Sequence, residues 1–506
     1  MSRPKDDSTP PNASPNQPSA AHATQWLGHP RGLATLFFTE MWERLSYYGM
    51  RAILILFMTH AGIEGGLGMT DGRAGAIYGL YTAAVYLLSL PGGWIGDRLL
   101  GQRNAVFCGG IVIAAGHFCM ALPTIATFYL GLALIVIGTG LLKPNVSAQV
   151  GELYPLDAGA RRDAGFSLYY MGINIGAFAG PLLCGYLGEN VNWHLGFSAA
   201  GIGMIFGVIQ YRLGGKHLGD AGMLRTTSAE RARARRALVA GAVGLSVVAL
   251  ILAALHASGV LHLSPEGFAR ATGVFIAVLA VVYFASVLFF GHLSKLDRNR
   301  VVVIFVFFMS AALFWSGYEQ AGSSMNLFAE RLTDRILLGW EMPASWLQSV
   351  SALFIILLAP VVGALWVWLG SRNPSTPVKF AAGLVLLGCG FFVIAWGSTF
   401  TADGNLVSPM WLVVTYFLHT VGELCLSPVG LSSITKLAPR HLVGQMMGTW
   451  FMGSALGNLI AGQSAGLVES MPLPRLFGTV AMVTAGAGLL LWMCSGKLRR
   501  MIGPVN

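Results

Sequence analysis

The sequence predicts an all-α polytopic membrane protein of fourteen transmembrane helices: two six-helix bundles plus a two-helix insertion between them. Three observations carry this expectation. Of 506 residues, 55% are hydrophobic and 11% charged, with a mean hydropathy of +0.64, whereas soluble domains carry about 25% charged residues. The apolar residues fall in uninterrupted blocks of roughly 20, the length of a membrane-crossing helix, and not in the short alternating segments of a membrane β-barrel. The third observation is an internal duplication. Tyr170-Met171-Gly172 followed by Gly176 recurs as Phe451-Met452-Gly453 followed by Gly457, an offset of 281, and Pro144 recurs as Pro428 at an offset of 284. Two near-equal offsets imply one duplication with an even number of helices inserted between the copies, and paired repeats place a substrate between them near the midplane.

Residues 1–32 are rich in Pro, Ser, Asn and Ala and lack an apolar h-region, so they predict a disordered cytoplasmic tail and not a signal peptide. Apolar blocks then predict spans at 33–61, 73–96, 104–122, 125–149, 164–188 and 194–212, an N-terminal bundle over 33–212. The basic run from Arg212 to Arg236 opens a cytoplasmic linker and inserted helix pair over 213–299, with spans at 237–257 and 270–291. The C-terminal bundle, 300–496, has spans at 300–330, 346–370, 376–399, 408–436, 443–469 and 473–496, and residues 497–506 form a cytoplasmic tail. Glycine, 65 of 506 residues, is nearly twice its usual share and suits helices that pack without a hydrophobic drive between them.

With the N-terminus inside, internal loops and tails hold 24 of the 32 basic residues, while only Arg73, Arg270, Arg331, Arg335 and Arg475 face out. The positive-inside rule therefore places both termini in the cytoplasm, and the net charge of +10 reports topology, not nucleic-acid binding. The six cysteines (Cys108, Cys119, Cys184, Cys389, Cys425, Cys494) form no C-x-x-C pair and have no His at metal spacing, so neither a disulfide framework nor a metal site is expected.

Seven charges remain inside the apolar spans: Glu40, Glu43, Arg44, Arg51, Lys143, Glu319 and Glu423. Each costs about 3 kcal/mol or more at bilayer depth, so each is a functional candidate. At ~1.5 Å per residue, Glu40 and Lys143 lie ~10 Å from the inner surface, Glu43 and Arg44 ~16 Å, and Arg51 and Glu319 ~27 Å, with Glu423 near the middle. Glu40, Glu43, Arg44, Tyr47 and Arg51 fall on one helical stripe. A carboxylate beside Arg or Lys in a wet cavity exchanges its ion pair for a proton, because a carboxylate that loses its cation binds a proton more readily. This is chemistry for proton coupling, with the proton as coupling ion and no other cofactor. Of the histidines only His117 and His419 are deep; His419 lies one turn before Glu423, and a packed or lipid-edge histidine is its plain reading. Tyr47, Tyr48, Tyr86, Tyr170, Asn174, Trp315, Gln320, Ser427, Trp450 and Phe451 surround the charges, and together they suggest a zwitterionic ligand with variable side chains.

Several blocks carry a family resemblance. Gly92-Gly93-Trp94-Ile95-Gly96-Asp97-Arg98, with Gly101 and Arg103, resembles the signature between helices two and three of the major facilitator superfamily. Glu40-Met41-Trp42-Glu43-Arg44-Leu45-Ser46-Tyr47-Tyr48 resembles the E-x-x-E-R-F-x-Y-Y signature of the proton-coupled oligopeptide transporters, with Leu45 in place of Phe. Similar blocks are Gly140 to Asn145, Phe166 to Gly176 with Tyr169 in place of a Phe, Phe314 to Phe328, and Gly422 to Pro439, so the resemblance spans roughly residues 33 to 496.

The resemblance implies a major facilitator fold of the bacterial type with an extra helix pair, sited in the inner membrane, and a proton-driven importer of di- and tripeptides. By the same resemblance Glu40, Glu43, Arg44, Lys143 and Glu319 couple protons. Arg44 and Lys143 receive the peptide carboxylate, and Glu423 and Asn174 its amino group, helped by Tyr48 and Tyr86. Ser427, Trp450 and Phe451 form side-chain pockets and the inner gate, while Arg51 and Glu319 form the outer gate. The partners implied are small peptides, protons and lipid, with no nucleic acid, and a monomer suffices. The family's Q-S-x-N-P block stands here as Gln348-Ser349-Val350-Ser351-Ala352, so a hydroxyl replaces an amide that helps bind the substrate amino end. The histidine of the animal members' second helix is also missing. The rival readings are the same fold carrying nitrate or an amino-acid-like drug, and an integral-membrane enzyme. An amine-binding Glu423 argues against nitrate, and the enzyme would need a nucleophile or His cluster at one surface.

Overall fold

A computed structural model describes residues 25–155, 159–402 and 404–503. It contains α1 (Gly32–Thr59), α2 (Asp71–Ile95), α3 (Gln102–Met120), α4 (Ile125–Glu152), α5 (Gly159–Asn190), α6 (Trp193–Gly214), α7 (Ser228–Ala257) and α8 (Pro265–Phe290). The second half contains α9 (Lys295–Tyr318), α10 (Ser324–Leu332), α11 (Trp346–Leu369), α12 (Thr376–Gly397), α13 (Met410–Leu437), α14 (Val443–Ser464) and α15 (Leu473–Ile502). Every expected span is a helix, but the ninth is broken. A 3-10 turn at Glu319–Gly322 separates α9 from α10 and places Glu319 at the break.

Among the described residues, 12 helices are long and apolar enough to cross a membrane. The remaining two spans, α1 and α14, fall short for visible reasons: α1 carries four charges, and α14 is rich in Gly, Ser, Gln and Asn.

The helix pairings repeat between the halves. In the first, α1 packs on α5 and α6, α3 on α4 and α6, and α2 on α4; in the second, α9 packs on α14 and α15, α12 on α13 and α15, and α11 on α13. The bundles meet along α2–α14 and α5–α11, two contacts related by the same duplication. The inserted α8 lies against α2 and α14, while α7 presents its apolar face outward and buries only Ala234.

Glycine makes these close approaches possible. A Cβ on Gly75 would collide with the Gly462 carbonyl on α14, and one on Gly92 with the Gly140 carbonyl on α4. That carbonyl has lost its usual helical donor, because residue 144 is a proline.

Both tail expectations need correction at their folded ends. Residues 25–31 are ordered, with β1 (Gln25–Trp26) and β2 (His29–Pro30) forming an antiparallel hairpin. Trp26 packs on Phe37 with ring centroids 5.4 Å apart, and the His29 Nδ1 lies 2.8 Å from the Tyr154 hydroxyl. Burial pushes that hydroxyl's pKa above the ordinary tyrosine value. At the other end α15 continues to Ile502, whose carbonyl accepts from Arg300 Nε at 3.0 Å. The rest of the predicted tails, residues 1–24 and 504–506, lies outside the described residues. Helix α7 begins nine residues before its expected span, because Thr227 and Glu230 cap it reciprocally and carry the arginine run into the helix.

Candidate functional site

The stripe on α1 places Glu40, Glu43, Arg44, Tyr47, Tyr48 and Arg51 on the side that meets the rest of the protein. Glu40, Glu43 and Arg44 are essentially inaccessible, at 1%, 0% and 3% exposure. Arg44 Nε lies 3.1 Å from Glu40 Oε1 and also pairs with Glu43, and its guanidinium packs over the Tyr47 ring 5.2 Å from the centroid. From α4, the Lys143 ammonium sits 4.5 Å above the Tyr86 ring of α2. Two cations and two carboxylates are thus held together with aromatic faces beneath the cations, an arrangement that limits the cost of their desolvation.

A cavity of about 240 Å³ runs between the bundles past this cluster. The first half lines it with Glu40, Arg44, Tyr48, Arg51, Tyr86, Lys143, Tyr170 and Asn174. The second half supplies Trp315, Tyr318, Glu319, Gln348, Ser351 and Glu423. Glu423 is 7% exposed, and its Oε2 has no hydrogen-bond partner among the described residues; nor do Glu40 Oε2 and Arg44 Nη2. One wall therefore presents cationic donors and the opposite wall a carboxylate acceptor. The side chain of Asn174 is anchored by donation from Nδ2 to the Tyr170 carbonyl at 2.9 Å.

Four candidates stand away from this cavity. Glu43 is buried behind Arg44. Trp450 packs edge-on to Phe380, with centroids 6.4 Å apart, and lies on Gly430, where a Cβ would strike its ring. Phe451 is half-buried against the core, and the Ser427 hydroxyl, one turn beyond Glu423, is buried with no hydrogen-bond partner among the described residues.

At the far end of the cavity from the termini, Arg51 and Glu319 close it as an ion pair between the halves, at 6% and 4% exposure. Arg51 Nε also donates to the Tyr78 hydroxyl. Further links between the halves gather at the same end. Arg331 grips Asp71 with two hydrogen bonds of 2.7 and 2.8 Å, and the backbone N–H of Asp71 donates to Glu469 at 3.0 Å. Glu189 at the end of α5 accepts from the Ala344 and Ser345 N–H groups at 2.6 and 3.1 Å. Asn326 Nδ2 donates to the Ala52 carbonyl at 2.8 Å, and Trp346 Nε1 to the Leu182 carbonyl at 2.9 Å.

Among families of known proteins, the model of the POT family matches residues 103–480. The chain belongs to the POT family. It is 42% identical over 483 residues to the "Peptide transporter YePEPT" of Yersinia enterocolitica, covering 92% of this chain and 94% of that one. It is 35% identical over 493 residues to the "Di-/tripeptide transporter" of Lactococcus lactis subsp. cremoris, covering 95% and 98% respectively. A crystal structure of a peptide transporter POT in complex with sulfate superposes with a TM-score of 0.89 at 41% identity, covering 95% of this chain and 98% of that one.

This POT-family protein is accordingly a multi-pass membrane protein of the major facilitator fold, in a family of transporters and not of enzymes. Reasoning from the sequence missed several residues at the closed end: Tyr78, Asp71, Arg331 and Glu189. Asp71 and Glu189 sit at helix ends, where a charge is unremarkable, and only the opposed bundle reveals their partners. Tyr318, which lines the cavity, carries one legible signal: it lies at i+3 from Trp315 and immediately precedes Glu319.

Proposed function

We propose that this POT-family protein is a proton-coupled symporter that imports di- and tripeptides by alternating access between its two bundles. The observation that carries the reading is the cavity itself. Arg44 and Lys143 line one wall and Glu423, with an unpartnered oxygen, lines the other. A free peptide brings a carboxylate and an ammonium to complementary ends of such a cavity, while nitrate would leave Glu423 buried and unpaired. The relatives named as peptide and di-/tripeptide transporters support the same substrate class.

In this reading Arg44 and Lys143 hold the peptide carboxylate, and Glu423 and Asn174 its amino group, with Tyr48 and Tyr86 forming the walls. Arg51 and Glu319 form the outer gate. A proton arriving from outside neutralises Glu319, frees Arg51 and loosens the closed end. The peptide then draws the bundles together, and the proton passes to the Glu40/Glu43 pair. Its loss to the inside lets Lys143 re-pair with those carboxylates and release the peptide. One proton moving down 100 mV supplies about 2.3 kcal/mol, enough to bias such a cycle. Ser427, Trp450 and Phe451 serve the inner gate and side-chain pockets once the bundles rock, since they stand apart from the cavity in the latched form. The chain acts as a monomer in the bacterial inner membrane, with both termini cytoplasmic and the two bundles dividing at the linker that begins near residue 213.

The closed cavity, about 240 Å³, lies below the range of about 300–1,000 Å³ usual for ligand pockets, so the walls must part for larger peptides. Counterflow tests the substrate directly. Proteoliposomes loaded with unlabelled dialanine are expected to take up labelled dialanine without any ion gradient, and the N-acetylated dipeptide should compete poorly. Equal competition by the acetylated peptide would contradict the role of Glu423, and absence of exchange would contradict the peptide assignment.

A further inference from the structure

The inner ends of α1 and α6 carry a feature that transport does not use. Thr35 donates to the Gly214 carbonyl at 3.3 Å, and Thr39 to Gln210 Oε1 at 3.0 Å. The His217 carbonyl comes so close to α1 that a Cβ on Gly32 would approach it to 2.7 Å. These contacts fix the Gly215–His217 turn against the start of α1 and leave a groove of about 710 Å³ beside it. Trp42, Phe206, Ile209 and Leu213 form its apolar wall, and the last is 71% exposed. Arg31, Lys216 and His217 form its rim, and among the described residues no carboxylate lines it.

Around the same helix end a second cavity of about 450 Å³ shares Lys216 and is bounded by Arg103 and Arg212. Arg103 is occupied, donating to the Ala221 carbonyl at 2.7 Å. Arg212 lies over the Phe107 ring, 5.7 Å from its centroid. Among the described residues, no carboxylate forms an ion pair with Arg31, Lys216 or Arg212.

We propose that the inner end of α6 is a binding site for an anionic phospholipid. Its phosphate sits between Arg31 and Lys216, and an acyl chain runs along Phe206, Ile209 and Leu213. Three uncompensated cations lie where a spanning helix leaves the hydrocarbon, the depth of the headgroup phosphates, and a basic pocket between helices at that level fits a phosphate headgroup. A soluble phosphate would use the rim but not the wall. A zwitterionic lipid would use the wall, but its own ammonium would oppose the rim. The bound lipid would clamp the junction between the first bundle and the inserted pair, since the Gly215–His217 turn leads directly toward the arginine run of α7.

The test is lipid titration of the full-length protein in neutral detergent, read by thermal unfolding and native mass spectrometry. The probes are phosphatidylglycerol, phosphatidylcholine with the same chains, and glycerol phosphate. Phosphatidylglycerol alone is expected to bind and stabilise. The double substitution Arg31→Gln with Lys216→Gln is expected to weaken it about 30-fold, from about fivefold per basic side chain at an anionic surface. Arg372→Gln, at the inner end of the other bundle, is expected to leave it unchanged. Should the double variant fold poorly, raising the salt from 0.05 to 0.5 M must weaken binding to the wild type. Phosphatidylcholine binding as tightly, glycerol phosphate binding as tightly, or an undiminished double variant would each overturn the proposal.

Discussion

Replacing Glu319 with Gln isolates the charge that closes the cavity at the end away from the termini. In the folded protein Glu319 and Arg51 are 4% and 6% exposed and pair across the two halves, with Tyr78 also accepting from Arg51. Removing one partner of a buried ion pair costs about 3–5 kcal/mol. Gln keeps an oxygen that still accepts from Arg51, which puts the cost at the low end, about 3 kcal/mol, or a factor of about 160 in the closed-to-open ratio. A latch that is 99% closed would fall to roughly 40% closed.

Spin labels at Ile63 and Leu338, both fully exposed and on opposite halves at the end away from the termini, read this as a distance distribution once the native cysteines are removed. The wild type is expected to lengthen only on acidification, because in the proposed cycle a proton on Glu319 releases Arg51. The variant is expected to be lengthened already at neutral pH and to lose the pH response. Identical distributions in wild type and variant, or an intact acid response without the carboxylate, would refute the reasoning.

Asp71→Asn should open the same end by about 1–2 kcal/mol, less than Glu319→Gln, since Asp71 is buried but Arg331 is 38% exposed and partly screened by solvent; its effect should add to that of Glu319→Gln in the same distance measurement. Gly462→Leu puts a side chain into the α2–α14 seam where even a Cβ would collide with Gly75, so it should disfavour closure by about 1–3 kcal/mol and lengthen the distance between labels at Ile63 and Leu338. Glu423→Gln should raise the apparent KM for free dipeptides by roughly 10- to 100-fold, the worth of a hydrogen bond to a charged group, while leaving weak inhibition by N-acetylated peptides unchanged. Lys143→Gln should abolish accumulation under a proton gradient, because in the proposed cycle Lys143 holds the peptide carboxylate and re-pairs with Glu40 and Glu43 once the proton leaves.

Much of this site could be read by counting. A rise of ~1.5 Å per residue sets Arg51 and Glu319 at one level because α1 and α9 run as continuous helices up to those positions, and the two side chains are in contact. The clustering of Glu40, Glu43 and Arg44 follows from spacing on a single helix in the same way. Other features depend on how one helix is rotated against another, which residue spacing does not encode. Trp450 is expected in a side-chain pocket, yet the notch at Gly430 and the Phe380 edge hold it in the core. The break after Tyr318 has a signal in the polar run Glu319-Gln320-Ala321-Gly322-Ser323-Ser324, but the long apolar stretch before it and Met325 to Phe328 after it read as one span. The latch from Asp71 to Arg331 joins residues 260 positions apart and exists only once the bundles are docked. The early start of α7 was legible in principle in the Thr227–Glu230 capping box, but the arginine run that follows reads as a loop by charge alone.

The most direct test of the central claim is accumulation of a labelled dipeptide in proteoliposomes under an imposed inward proton gradient with the interior negative, with unlabelled tripeptides as competitors. The account predicts concentrative uptake that collapses when the gradient is dissipated and is displaced by the tripeptides. Uptake that only equilibrates, regardless of the gradient, would contradict proton coupling; no dipeptide flux in vesicles that move protons with another solute would contradict the peptide assignment.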